Sequence, residues 1–92
     1  MTSLTDRAKR ARVRAWRRGF READLILGPF ADAHAHTMSE ADLESFEALL
    51  EQNDHDIYAW VVGAAPAPPE FDHHVMAELR AHVDAGGTAV GG

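Results

Sequence analysis

The sequence predicts an all-α fold, a single small bundle of about five short helices. Three observations lead there. No segment alternates apolar and polar residues with the period of two that a half-buried strand requires. Apolar residues recur instead at i, i+3 and i+4 in several separate segments, each of which can bury one helical face. Between those segments lie cap residues, glycine stops and a proline cluster, which end one helix and start the next.

The first helix is expected in "LTDRAKRARVRAWRR", with Thr5 as candidate N-cap. Its aligned apolar positions are Leu4, Ala8, Ala11 and Ala15, so it buries little. Gly19 has the character of the C-terminal stop of that helix. A second helix follows with Glu22 and Asp24 in its first turn, where carboxylates suit the positive end of the helix dipole, and with Ala23, Ile26, Leu27 and Phe30 on one side. Gly28-Pro29 is expected to kink or divide it. In "SEADLESFEALLEQ" Ser39 caps a third helix with Asp42 at its third position and Leu43, Phe46, Leu49 and Leu50 facing the core. Glu40, Glu44, Glu47 and Glu51 keep its outer face in water. A short fourth helix has Asp54 as N-cap, Ile57, Trp60 and Val61 as its apolar positions and Gly63 as its stop. "AAPAPPE" is an extended linker, because each proline biases the residue before it away from the helix. Phe71, Val75, Leu79 and Val83 then mark the stripe of a final helix that ends near Gly86. The domain is expected over residues 1–85, with 86–92 as a glycine-rich tail. Phe30 and Trp60 fall on apolar stripes and are expected in the core.

Ninety-two residues have room for one modest core and exclude any large barrel. Without cysteine, neither a disulfide framework nor a thiolate metal site can form. The apolar runs are far shorter than the ~20 residues needed to cross a bilayer, so no membrane association is expected. The net charge of −6 hides a division: residues 1–24 hold eight basic and three acidic side chains, and the remainder holds one basic and twelve acidic. A basic end is joined to an acidic body.

Two chemistries could use the ends of "RRGFREADLILGPFADAHAH". Asp32, His34 and His36 have the D-x-H-x-H spacing of a metal-binding strand in amidohydrolase-type barrels. Such a barrel needs about 250 residues, and on a helix positions 34 and 36 point about 200° apart. No metal ligand is therefore assigned here. His55, and the pair His73-His74, lack a third ligand of defined spacing and read as solvated surface. The arginine-rich start offers a phosphate-binding stripe, and a nucleic-acid-binding or antitoxin-like regulator is the alternative reading. Against it, the acidic body repels a duplex and no nucleic-acid recognition motif is present, so no nucleic-acid partner is expected.

The middle of that stretch points elsewhere. "RGFRE", Arg18-Gly19-Phe20-Arg21-Glu22, followed by "ADLILGPF", resembles the R-G-x-x-E-x-D-L-x-L-x-x-F signature of the SdhE family, also called succinate dehydrogenase assembly factor 2 or the flavinator. A second block, "LLEQNDHDIYAW", is similar to the family's paired leucines, two aspartates and tryptophan, carried here by Leu49, Leu50, Asp54, Asp56 and Trp60. The two blocks stand in the family's order, about 20 residues apart, and the resemblance runs from roughly Arg12 to Val62.

The resemblance implies a small all-α bundle that is not itself an enzyme. It implies binding to the flavoprotein subunit of succinate dehydrogenase, and in bacteria also that of fumarate reductase, with promotion of covalent FAD attachment to a histidine of that subunit. The FAD would be the client's; no tightly bound cofactor is expected, and a monomer is. Arg18, Gly19, Phe20, Glu22, Asp24, Asp54 and Asp56 would form the partner-binding surface. The residue types suit docking: Gly19 lets a partner backbone come close, and Arg18 offers a planar fork for a carboxylate or carbonyl. Glu22 either accepts from partner donors or pairs with Arg18 at i, i+4. Asp24, Asp54 and Asp56 serve equally well as helix-start carboxylates. An Arg-rich start also resembles an organelle transit peptide, but only 17 residues precede Arg18 and they already belong to the first helix. A cytoplasmic bacterial protein is the expectation.

Overall fold

The computed structural model describes residues 3–86. It contains five α-helices: α1 (Leu4–Trp16), α2 (Arg21–His34), α3 (Glu40–Leu50), α4 (Asp54–Val62) and α5 (His74–Asp84). Short 3₁₀ turns at Ala35–Thr37 and Pro69–Phe71 complete the described residues, which include no strand. No described helix is long and apolar enough to cross a membrane. The glycine-rich tail lies outside the described residues, except for Gly86, whose φ of +79° closes the chain after α5.

The expected apolar stripes are the buried ones. Leu27 and Phe30 of α2, Leu43, Phe46 and Leu49 of α3, Ile57 of α4 and Val75, Met76 and Leu79 of α5 are the largest fully buried side chains. Phe30 and Phe46 meet edge to face at 5.6 Å in the middle of this cluster, an arrangement aromatic rings favour. Trp60 departs from the core expectation: it is half-buried and stacks on Phe71, centroids 5.4 Å apart. Phe71 itself belongs to the 3₁₀ turn before α5 and not to the helix stripe, so the end of the proline linker is folded against α4.

α1 buries only Ala8, Ala11 and Ala15, as its sequence implies. Polar contacts supplement this thin seam. The Arg7 guanidinium donates to Glu47 at 2.6 Å and 3.3 Å; that hydrogen bond, with the negative charges of Glu47, Glu40 and Glu44, holds the Arg7 pKa above its ordinary value against partial desolvation. Arg12 donates to Asp32 at 3.0 Å, and the Trp16 indole N–H donates to the other oxygen of the same carboxylate at 3.1 Å. Asp32 thus ties two residues of α1 to α2.

Several local expectations are corrected. Ser3, not Thr5, caps α1, accepting from the Asp6 N–H at 3.1 Å. Asn53, not Asp54, caps α4, accepting from the N–H groups of His55 and Asp56. Both true caps sit one or two residues earlier, because the cap must precede the helical residues while its oxygen reaches forward. α2 is not divided at Gly28-Pro29 but runs undivided to His34. Gly28 has a packing reason instead: a Cβ there would lie 2.3 Å from the Trp16 indole. Ser39 and Gly63 act as expected, the first accepting from the Asp42 N–H and the second ending α4 at φ +82°.

Candidate functional site

The link between α1 and α2 is residues 17–20, and its geometry depends on Arg18. Its backbone N–H donates to Asp24 Oδ1 at 2.9 Å, so a carboxylate in the first turn of α2 reaches back to hold the residue before the helix. Its guanidinium turns inward, donating from Nε to Asp54 Oδ1 and from Nη2 to the Gln52 carbonyl at 2.8 Å. The side chain is only 8% exposed. Asp54 contributes to the first turn of α4 and Gln52 to the loop before it, so one arginine binds the α1–α2 link to the α3–α4 loop.

Of the two roles open to Glu22, pairing with Arg18 is the one this geometry removes. Asp54 holds the guanidinium, and the Glu22 carboxylate is exposed with no hydrogen-bond or ion-pair partner among the described residues. Asp56 is likewise exposed and without a carboxylate partner. Gly19 has φ +88°, a left-handed conformation that favours glycine, and a Cβ built on it would meet nothing within 4 Å. Its backbone therefore faces open space. Phe20, half-buried, packs on the rings of His55 at 4.3 Å and Tyr58 at 5.6 Å. His55 is thus a ring contact of this surface and not merely a solvated residue.

The α1–α2 link and the start of α4 meet through the Arg18–Asp54 and Phe20–His55 contacts, which bring together Arg18, Phe20, Asp24 and Asp54 of the seven residues expected to form one surface. Arg18, Asp24 and Asp54 are occupied with one another and with backbone. Gly19, Glu22 and Asp56 are available. Beside them a surface cleft of about 390 Å³ is lined by Arg14, Arg17, Arg18, Gln52, Asn53 and Asp54. Arg14, Arg17 and Tyr58 are the additional residues here; they lie close in sequence to the motifs, but only packing shows that they join the same face.

The two ends of the segment spanning residues 17–36 resolve as structure. Asp32 is held by Arg12 and Trp16, and the Arg12 guanidinium, which can only donate, places His36 Nε2 as an acceptor at 2.8 Å. His34 packs against Phe30 at 4.6 Å. Those three residues are not among the groups whose ligand atoms converge. The basic stripe is depleted in the same way: Arg7, Arg12 and Arg18 are committed to Glu47, Asp32 and Asp54, leaving an interrupted row for any phosphate backbone.

Comparison with known proteins places the chain in a family. Residues 9–83 match the family described as flavinator of succinate dehydrogenase. The mitochondrial succinate dehydrogenase assembly factor 2 of Dictyostelium discoideum is 38% identical over 65 residues, covering 71% of this chain and 46% of the relative. Assembly factor 2-A of Drosophila erecta is 34% identical over 82 residues, covering 87% and 51%. The Aedes aegypti assembly factor 2 is 36% identical over 69 residues, covering 73% and 43%. The chain spans about half the length of the curated relatives it matches. These names also correct the expectation of a cytoplasmic bacterial protein: the similar proteins are mitochondrial proteins of eukaryotes.

Proposed function

This chain belongs to the succinate dehydrogenase flavinator family, and on that premise we propose that it docks, as a monomer, on the flavoprotein subunit of succinate dehydrogenase and promotes covalent attachment of FAD to a histidine of that subunit. It is a helper and not an enzyme in its own right.

One observation carries the reading. Gly19 of the link and Glu22 in the first turn of α2 stand exposed beside a segment tied down by the Arg18 contacts to Asp24, Asp54 and Gln52. A surface fixed before binding loses little conformational freedom on docking. Gly19 lets the partner's backbone approach, since it has no side chain and open space above it. The unpaired Glu22 carboxylate accepts from donors on the partner, and Phe20 with Tyr58 supplies an aromatic margin. Arg18, in this reading, is a positioning residue and does not itself reach the partner. The client's flavin supplies the bond-forming chemistry, while this chain holds the subunit so that the acceptor histidine and the flavin are aligned.

The test is co-expression of the flavoprotein subunit with wild-type, Gly19→Arg or Glu22→Ala protein, reading flavin fluorescence that survives denaturation. Both variants should lower covalent flavin severalfold, while Glu22→Ala leaves the stability of the bundle within about 0.5 kcal/mol, as expected for an exposed residue without partners. Undiminished flavinylation with both variants overturns the assignment of this surface.

A further inference from the structure

We propose a divalent-metal site of the zinc type at the side-chain cluster formed by Asp42 of α3 with His74 and Glu78 of α5. His74 and Glu78 are four residues apart and so face the same way on their helix. α3 packs against α5 and brings Asp42 across to them. The His74 Nε2 atom lies 3.4 Å from Glu78 Oε1 and 3.9 Å from Asp42 Oδ2, and all three ligand atoms fall within 4.8 Å of one another.

Those separations fit the chemistry. Bonds of 2.0–2.2 Å to a tetrahedral ion set its ligand atoms about 3.3–3.6 Å apart. The widest separation needs to close by about 1.2–1.5 Å at most, and the His74 side chain, 68% exposed, has the freedom to do so. One imidazole and two carboxylates make a mixed nitrogen–oxygen set that suits zinc, cobalt or nickel better than magnesium or calcium, which favour oxygen alone. Three protein ligands leave a fourth position to water. Asp42 is anchored in turn, since its N–H is bonded to Ser39 Oγ at 3.1 Å, which fixes its backbone at the start of α3. An ion held here would clip α3 to α5, elements about thirty positions apart in the sequence.

The experiment is a titration of the untagged chain with Zn²⁺, followed by calorimetry and thermal unfolding, and a parallel titration with Co²⁺ followed by its visible absorption. One site is expected with a dissociation constant on the order of 10 µM, a rise in the unfolding temperature, and the intense cobalt band of a tetrahedral site. His74→Ala and Asp42→Asn should each weaken binding by at least about tenfold and abolish that band, whereas His36→Ala should change neither. These are surface substitutions, and circular dichroism will confirm that the variants fold. Absence of saturable binding below about 100 µM, or equal affinity in wild type, His74→Ala and Asp42→Asn, overturns the proposal.

Discussion

The Arg18 guanidinium and the Asp54 carboxylate join the α1–α2 link to the start of α4 across 36 positions of sequence. The pair is partly shielded, with 8% of the Arg18 side chain and 24% of the Asp54 side chain exposed. Hydrogen bonds to charged groups contribute about 1.5–3 kcal/mol, and leaving one partner unsatisfied costs a similar amount. Asp54→Asn should therefore lower stability by about 1.5–3 kcal/mol in urea unfolding. Arg18→Lys should not rescue the function of arginine, because an ammonium cannot reproduce the fork that spans Asp54 and the Gln52 carbonyl. A loss of less than about 0.5 kcal/mol in Asp54→Asn would show that the pair does not hold the link.

Gly28 and Trp16 form the second contact open to a direct test. A Cβ on Gly28 would approach three indole carbons at 2.3–2.7 Å, so Gly28→Ala must push the ring off α2. That movement breaks the Trp16 bond to Asp32 and opens the thin alanine seam of α1. The expected cost is about 1–3 kcal/mol, typical of overpacking. Since the clash is with one side chain, the effect should be strongly non-additive: in a Trp16→Ala background, Gly28→Ala should cost little. Equal costs in both backgrounds would locate the strain elsewhere.

His73 provides a third test. Its Nδ1 accepts from the Met76 N–H at 3.1 Å, making it the N-cap of α5, while its Nε2 is buried without a partner. The sequence reading of His73 as solvated surface is thereby corrected. His73→Ala removes the cap and should cost about 1 kcal/mol. His73→Asp keeps an acceptor for the N–H, adds a favourable charge at the helix start and removes the unpartnered nitrogen. It should be at least as stable as wild type by thermal unfolding; a His73→Asp protein as unstable as His73→Ala would show that the cap bond contributes nothing.

Much of the fold was legible because helical periodicity is a local signal. The stripes through Leu43, Phe46, Leu49 and Leu50 and through Val75 and Leu79 are buried as read. Caps were legible only to within a residue or two, since Asn53 and Asp54, or Ser3 and Thr5, are chemically similar candidates. At Gly28-Pro29 the helix is not divided, and the neighbour of Gly28, an indole from another helix, is not written in the adjacent residues. For the candidate site, the motif marks residues of the α1–α2 link and of the start of α4 but not how they pair. Arg18 looked like a hand extended to a partner and is folded inward.

The chain by itself determined that it would be helical, where its apolar faces would lie and which short motif marks its family, because each of these is written in residues within a few positions of one another. Tertiary structure alone decided the pairings. It assigned Arg18 to Asp54 and so left Glu22 unpaired, it gave Asp32 to Arg12 and Trp16, and it carried Asp42 to His74 and Glu78. The physical reason is the same each time: a charged side chain takes the partner that packing brings within about 3–4 Å, and sequence spacing sets that distance only within a single helix.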